Sequence, residues 1–197
     1  CTLATTPACL AQKLHIEEIS ERAGIGQMTI RDIAQDADGF LWIAASNGLH
    51  RFDGSHFKTY RPDPAHPRSI SDGYVFSIFQ SQDRELWLGT QKAGLNRFDL
   101  RREQFFHWQH SAENPSSLSG NAIIEVASAG EGNLWVGTLD NGLNFFDREN
   151  NTFHRLQNPL RTARSIGADR ICSLLSSDDS TLWIGTGGAG LLRLNQE

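Results

Sequence analysis

Short runs of alternating apolar and polar residues dominate the chain and predict β-strands. Four such runs each place two apolar residues three positions apart: TIRDIAQ (29–35), YVFSIFQ (74–80), AIIEVAS (122–128) and RICSLLS (170–176). β-Branched and aromatic residues are frequent in them, and Gly, Asp, Asn and Ser bound them, as is typical of strands joined by turns. Helical periodicity is nearly absent, and AQKLHIEEISERA is the one segment in which a helix is arguable.

A second pattern follows each of these runs and defines an internal repeat. It reads Leu-Trp-apolar-Gly/Ala-Thr/Ala, then a short loop, Gly-Leu, and an apolar residue usually followed by Asp. The four copies are GFLWIAASNGLHRFD (39–53), RELWLGTQKAGLNRFD (84–99), GNLWVGTLDNGLNFFD (132–147) and STLWIGTGGAGLLRLN (180–195). Their tryptophans are 45, 48 and 48 residues apart. Such a period with strand-like content is typical of β-propeller blades.

Each repeat resolves into strands, so the predicted fold is an all-β propeller. The chain contains enough sequence for four blades, each a four-stranded antiparallel sheet. The fourth strand of the first three copies has an aromatic residue and a large apolar one three positions on, as in Phe57/Tyr60. The last copy lacks this strand, but Ile16 and Ile19 have the same spacing near the start of the chain. The predicted blades span about 27–61, 72–109, 120–157 and 168–195, with 14–20 as a displaced outer strand and 1–13 as a flexible N-terminal segment.

Three arrangements fit an unfinished last blade. The displaced strand closes a four-bladed ring within one chain, or two chains pair as half-rings, or the chain is a fragment of a propeller with about seven blades. A closed ring leaves no free strand edge, whereas the exposed blade edges of a fragment would invite pairing.

Composition and charge narrow the function classes. The chain has 197 residues, a net charge of −5 and no Lys/Arg block, which disfavours nucleic-acid binding. No apolar run of about 18 residues is present to span a membrane. No Cys/His metal spacing and no GxSxG, HExxH, P-loop or GxGxxG motif occurs, so we predict no catalytic residue, metal or cofactor. Cys172, in an apolar run, is predicted to be a small buried residue.

Two further patterns suggest chemistry but favour structural interpretations. DADG (36–39) resembles the opening of a calcium loop, yet its twelfth position is Asn47 where the liganding Glu would stand, so we predict a hairpin turn. Asp32 and Glu125 occupy the same strand position two blades apart and would suit acid/base work if they faced each other. Because the other copies have serine at this position, we interpret it as a tolerated polar position.

The repeat resembles that of the two-component regulator propeller family. The resemblance rests on LWLGT…GLNRFD and LWIGT…GLLRL, and on an inter-blade Ser motif that recurs as PRSIS (67–71), PSSLS (115–119) and ARSIG (163–167). It covers about residues 27 to 195 and departs from the pattern at Ala44-Ala45, where the other copies have Gly-Thr. The resemblance implies the periplasmic or extracellular sensor part of a bacterial inner-membrane receptor. The receptor's output domains, a histidine kinase or diguanylate cyclase, are absent from this chain.

Loops that join strand two to strand three, and blade to blade, share one face of a propeller and vary here while the strands repeat. On that face the predicted ligand-binding residues are Asn47, Tyr74, Lys92, Asn121, Asp140, Asn141 and Arg170. Tyr74 offers a face for stacking a sugar, and Arg170 offers a bidentate fork for a carboxylate or sulfate.

The predicted partner is a small polar ligand, an oligosaccharide or a peptide, with signalling by association rather than chemistry. A propeller lyase or another metal-assisted enzyme is one alternative. A dimerisation scaffold, pairing as a homodimer through blade edges, is the other.

Overall fold

Three four-stranded antiparallel sheets and one three-stranded sheet make up the fold. The structure is a computed structural model that describes residues 15–19, 26–81, 84–156, 170–178 and 181–195. Blade 1 contains β1–β4, blade 2 contains β5–β8, blade 3 contains β9–β12 and blade 4 contains β13–β15, and within each blade the strands pair in chain order. This confirms the all-β propeller architecture.

The strands of blades 1 and 2 are β1 (Ile30–Gln35), β2 (Leu41–Ala45), β3 (Gly48–Phe52), β4 (Phe57–Tyr60), β5 (Val75–Gln80), β6 (Glu85–Thr90), β7 (Leu95–Asp99) and β8 (Gln104–Trp108). Those of blades 3 and 4 are β9 (Ile123–Ser128), β10 (Leu134–Thr138), β11 (Leu143–Asp147), β12 (Thr152–Arg155), β13 (Ile171–Asp178), β14 (Thr181–Thr186) and β15 (Leu191–Asn195). The first strands of successive blades lie side by side: β1 contacts β5, β5 contacts β9, and β9 contacts β13.

Apolar layers between adjacent blades hold the fold together. In blades 1 to 3, the tryptophan and the Leu of Gly-Leu pack against apolar residues of the next blade. Between blades 2 and 3, for example, Trp87 and Leu95 pack in one cluster with Ile123, Val126 and Phe146. Burial of such side chains contributes roughly 1.5–3 kcal/mol each.

The repeated Ser motif ties each linker to the blade that follows it. In blade 2 the side chain of fully buried Asn96 accepts a hydrogen bond from Ser71 N (3.0 Å) and donates one to Ser71 Oγ (2.7 Å). Asn144 makes the same pair of bonds with Ser119 in blade 3. The motif is therefore structural in these two copies, and the third copy, 163–167, lies outside the described residues.

The tryptophans differ in how their indole N–H is satisfied. Trp42 Nε1 donates to Asp36 Oδ2 at 2.7 Å, inside the DADG turn. The corresponding positions in blades 2 and 3 are Ser81 and Ala129, and the buried Nε1 atoms of Trp87 and Trp135 have no hydrogen-bond partner among the described residues. A buried indole N–H normally has one hydrogen-bond partner. Of these three tryptophans, Trp42 alone has one among the described residues, because blade 1 has a carboxylate at this position.

The last blade has no fourth strand within the described residues, and residues 15–19 do not supply it. None of them lies in a strand, and Ile16 is 91% exposed. The displaced outer strand predicted at 14–20 is therefore not formed by residues 15–19 in this structure, and the segment 1–13 lies outside the described residues. Blades 1 and 4 do not close on each other either, since Ile33 is 58% and Leu175 is 64% exposed. A four-bladed ring is thus not the arrangement found here.

Candidate functional site

The predicted ligand-binding residues lie on one face of the blades. Four equivalent backbone hydrogen bonds lie there, one in each blade. Each joins the residue just after the second strand to the residue just before the first strand. The bonds run from Ser46 N to Thr29 O (3.0 Å), Gln91 N to Tyr74 O (3.0 Å), Leu139 N to Ala122 O (2.9 Å) and Gly187 N to Arg170 O (2.8 Å). The seven predicted residues are in or beside these paired loops, which we call the loop face.

Two of the seven residues are engaged by the protein itself. Asn121 Oδ1 accepts from His110 N at 2.7 Å, and its carbonyl accepts from Gly94 N at 2.9 Å. Asn47 Oδ1 lies 2.8 Å from His50 Nε2, and its carbonyl accepts from Arg61 Nε. These bonds fix the loops, so a structural role accounts for both side chains.

Four others are exposed on the loop face: Lys92, Asp140, Asn141 and Arg170. Asp72 Oδ2 accepts from Lys92 N at 2.7 Å, which fixes the backbone of that loop. Ligand contact by these residues stays a prediction.

The seventh residue, Tyr74, belongs to a cluster of aromatic and cationic side chains at the junction of blades 1 and 2. Its ring centroid is 5.0 Å from that of Phe76, and the Arg31 guanidinium lies 5.2 Å from the Phe76 centroid. Arg31 is exposed, while Tyr74 and Phe76 are partly exposed. We call these three residues the mouth cluster. Aromatic faces beside a guanidinium suit a ligand with an apolar ring face and an anionic group.

A β-bulge in each of two strands explains why the side chains of Phe76 and Arg31 reach the surface. The pairing of β5 with β6 shifts between Val75 and Ser77, and that of β1 with β2 shifts between Ile30 and Asp32. The residue in between, Phe76 or Arg31, has no partner in the ladder, as expected for a bulge that re-aims a side chain. Sequence reasoning missed both residues because strict alternation treats them as ordinary strand positions.

Asp32 and Glu125 each lie just after a bulge, and the negative charge of Asp32 acts on Glu125. Asp32 Oδ2 accepts from Ile78 N of blade 2 at 2.7 Å, and its Oδ1 accepts from Ile33 N at 2.8 Å. Asp32 therefore links blade 1 to blade 2. Burial, together with the negative charge of Asp32, raises the pKa of Glu125 to about 7.

The raised pKa makes Glu125 a source of pH-dependent stability. Its pKa rises from 4.5 to about 7 on folding, so protonated Glu125 favours the folded state below pH 4.5 and this contribution is lost as the pH rises through 7. We compare the free energy of unfolding of Glu125→Gln with that of the unsubstituted protein. As the pH rises from 5 to 8, this difference should increase in favour of the variant by about 1–2 kcal/mol, after allowance for partial solvent exposure. Urea unfolding at both pH values measures this gain. Glu113→Gln, an exposed linker substitution, is the control, and an equal gain for both variants would contradict the assignment.

Several side chains of types that can bind metals have partners within the protein. His107 Nε2 lies 2.8 Å from Ser69 O, and His110 Nδ1 lies 2.7 Å from Leu118 O, so both imidazoles hold linkers. Asp36 accepts from the turn and from Trp42, as the hairpin interpretation of DADG predicts. Within the described ranges, no group of three His, Cys, Asp or Glu is placed to hold a metal ion.

Cys172 corrects one expectation. It was predicted to be buried, but it is an exposed free cysteine. The pairing of β13 with β14 shifts between Ile171 and Ser173, so Cys172 is the bulge residue of blade 4 and corresponds to Phe76. The bulge displays it in the same way.

A cleft of about 820 Å³ lies away from the loop face, between blades 2 and 3. The turns between first and second strands line it, with Ser81 and Asn133 among their residues, and Arg148 and Glu149 complete its wall. Arg148 donates to Glu85 Oε2 at 2.9 Å across this blade junction. The cleft holds none of the residues predicted to bind ligand.

The family comparison matches two of the four repeats. Residues 24–47 and 69–92 match the family described as two component regulator propeller. A histidine kinase of Formosa agariphila is 46% identical over 48 residues, which is 24% of this chain and 4% of that protein.

Among solved structures, the extracellular domain of a putative hybrid two component system from B. thetaiotaomicron superposes with a TM-score of 0.80 at 27% identity, over 91% of this chain and 25% of that one. The chain thus spans a small part of either relative. Catalytically inactive virginiamycin B lyase from Staphylococcus aureus matches with a TM-score of 0.59 at 14% identity, over 86% of this chain and 56% of that one, which shows a shared fold. No helix in the described part of the chain has the length and apolarity needed to cross a membrane.

Proposed function

We propose that this chain is part of the extracytoplasmic ligand-sensing propeller of a bacterial signalling receptor, because two of its four repeats match the two component regulator propeller family. The proposed ligand is a small polar molecule, and the mouth cluster favours an acidic oligosaccharide. The chain acts by binding and association, and it performs no chemistry on its ligand. The similarity to an extracellular receptor domain of the same architecture supports the location outside the cytoplasm.

The observation that carries this proposal is the mouth cluster on the loop face. A sugar ring presents an apolar face of C–H groups that packs on an aromatic ring, and the Tyr74 and Phe76 rings adjoin each other there. The exposed guanidinium of Arg31, over Phe76, supplies a bidentate donor for a carboxylate or sulfate. Arg170 offers a second guanidinium on the same face.

Ligand binding at the mouth cluster would affect the contact between blades 1 and 2. Arg31 belongs to blade 1, Tyr74 directly precedes β5 of blade 2, and Asp32 next to Arg31 is hydrogen-bonded to Ile78 N of blade 2. A ligand that contacts both blades therefore favours the geometry in which this inter-blade bond is formed. Such a shift in equilibrium transmits binding without a chemical step.

A thermal-shift screen tests the proposal. We expect uronic-acid disaccharides to raise the melting temperature of the protein and matched neutral disaccharides to raise it less. Tyr74→Ala should weaken binding about tenfold, which corresponds to about 1.4 kcal/mol, because it removes an aromatic face on which the sugar packs. Glu149→Ala, beside the cleft, is the matched control and should bind like the unsubstituted protein. Equal weakening by both substitutions, or no response to any saccharide, would contradict the proposal.

Repeating the screen with EDTA separates the sensor from the lyase alternative. A ligand-binding module without a metal should melt at the same temperature with and without the chelator. A lower melting temperature in EDTA would instead favour a metal-assisted enzyme.

A further inference from the structure

The cleft between blades 2 and 3 is open because a glycine replaces an arginine of the preceding junction. Between blades 1 and 2, Arg84 in the β5–β6 turn pairs with Asp38 in the β1–β2 turn at 3.2 Å. Arg84 lies three residues before the tryptophan of its blade, and Gly132 has that place in blade 3. An added Cβ on Gly132 would lie 3.6 Å from Arg148 Cδ and Nη1, an ordinary contact. The space that a guanidinium fills at the first junction is therefore available at the second.

A buried donor without a partner lies at one end of this cleft. Asp36 accepts from Trp42 Nε1 in blade 1, whereas blade 2 has Ser81 at this position, and Ser81 lines the cleft. The Trp87 ring is oriented like that of Trp42: each lies 5.5 Å from a phenylalanine of the next blade, at 60° and 61° respectively. Trp87 Nε1 therefore points to the Ser81 end of the cleft, and it is buried with no partner among the described residues. Because an unmade hydrogen bond of a buried N–H is costly, a ligand oxygen is favoured there.

Negative charge exceeds positive charge around the cleft. Arg97 and Arg148 both pair with Glu85, at 3.3 and 2.9 Å. Glu131 and Glu149 line the cleft, are exposed, and have no ion-pair partner in the described part of the chain. Three carboxylates thus face two guanidinium groups. The surplus carboxylate charge favours a cation as ligand.

The walls of the cleft suit a cation carried on a peptide. Phe79 is partly exposed in the wall of blade 2, and a guanidinium stacks well on an aromatic ring. The volume of about 820 Å³ is in the range of sites that bind small ligands. An arginine residue within a peptide supplies both groups that the cleft lacks, a cation beside the carboxylates and a carbonyl oxygen for an N–H donor.

We propose that this cleft binds an arginine-bearing segment of a partner polypeptide. The guanidinium pairs with Glu131 and stacks on Phe79, in the space that Arg84 fills at the preceding junction. A peptide carbonyl accepts a hydrogen bond from Trp87 Nε1, as Asp36 does from Trp42. The cleft lies away from the loop face, so this site is separate from the saccharide site proposed above.

Calorimetric titration with acetyl-Gly-Arg-Gly-amide tests the ion pair. The same peptide with citrulline is the control, because citrulline has nearly the shape of arginine but no charge. We expect the arginine peptide to bind about threefold to fivefold more tightly, and the difference to decrease at high salt. Glu131→Gln should remove most of this difference, whereas Glu113→Gln, on the exposed linker, should keep it.

Two substitutions at Gly132 test where the peptide binds. Gly132→Arg restores the residue of the preceding junction, fills the cleft and repels a cation, so it should weaken binding of the arginine peptide at least about tenfold. Gly132→Ala has the same positive φ but leaves the cleft open, and it should bind within about twofold of the unsubstituted protein. Arg84 itself has a φ of +57°, so arginine is tolerated at this place. Circular dichroism checks that both variants fold.

Indole N–H signals test the carbonyl contact. The protein has five tryptophans, and Trp87→Phe identifies the Trp87 signal in ¹⁵N-edited NMR spectra. The arginine peptide should shift this signal downfield and leave that of Trp42 in place, since Trp42 Nε1 already has an acceptor. Agmatine, which has the guanidinium but no peptide carbonyl, should bind more weakly and leave the Trp87 signal unmoved.

Four results would overturn the proposal: no binding of the arginine peptide, equal binding of the citrulline peptide, equal binding of agmatine, or an unmoved Trp87 signal at saturation. Its failure can be told apart from failure of the saccharide site. Tyr74→Ala should leave binding of the arginine peptide unchanged, and Glu131→Gln should leave the response to saccharides unchanged. Loss of peptide binding in Tyr74→Ala would contradict a separate site in the cleft.

Discussion

Replacing Gly94 with alanine should destabilise the protein by about 3 kcal/mol or more. Gly94 has a φ of +77°, where alanine is strained by about 1 kcal/mol or more. Its added Cβ would lie 2.1 Å from the Trp108 carbonyl oxygen, a backbone atom held in the ladder between β7 and β8. The shift needed to relieve this clash also disturbs the hydrogen bond from Gly94 N to Asn121 O.

Gly190 is the matched control because it occupies the same place in blade 4. Its φ is +78°, but no atom lies within 4 Å of its added Cβ. Gly190→Ala should therefore cost about 1 kcal/mol, the backbone strain alone. Urea unfolding at one fixed protein concentration measures both variants. Equal costs would show that the contact between the third and fourth strands is not as described.

Replacing Asp36 with alanine should cost about 2–4 kcal/mol. The Asp36 carboxylate is 7% exposed and accepts three hydrogen bonds, from Asp38 N, Phe40 N and Trp42 Nε1, at 3.0, 3.0 and 2.7 Å. Its removal releases the turn and leaves the indole N–H of Trp42 buried without an acceptor. The penalty for such an unsatisfied donor exceeds the net contribution of an ordinary hydrogen bond.

Ser81→Ala is the control at the corresponding position of blade 2. The Ser81 hydroxyl makes one weak contact, 3.4 Å to the Glu85 carbonyl, and Trp87 Nε1 already has no partner among the described residues. We expect it to cost less than about 1 kcal/mol. Urea unfolding compares the two variants, and similar costs would contradict the role given to the Asp36–Trp42 bond.

The strands and their order were predictable because the four copies of the repeat can be aligned with one another. The four Leu-Trp segments became β2, β6, β10 and β14, and each Gly of Gly-Leu has positive φ. The displaced strand at 14–20 was inferred from two isoleucines only. An apolar pair at that spacing also occurs outside strands, and Ile16 is exposed.

The candidate site was only partly predictable. Tyr74 could be proposed as a candidate because loop positions on one face could be counted from the repeat. Phe76 and Arg31 were missed because a bulge depends on register between two strands, and the sequence of one strand does not show it. The influence of Asp32 on Glu125 was likewise hidden, since the two residues are 93 positions apart in the chain.

The central claim, that the mouth cluster binds the ligand, is tested most directly by tyrosine-selective ¹³C labelling and NMR titration with a uronic-acid disaccharide. The protein contains two tyrosines, so two ring signals report on two places. Tyr74 lies in the mouth cluster, whereas Tyr60 packs between Trp42 and Phe98 at the junction of blades 1 and 2. We predict that the Tyr74 signal shifts with saturation while the Tyr60 signal stays in place. Saturable binding that leaves the Tyr74 signal unmoved would contradict the account.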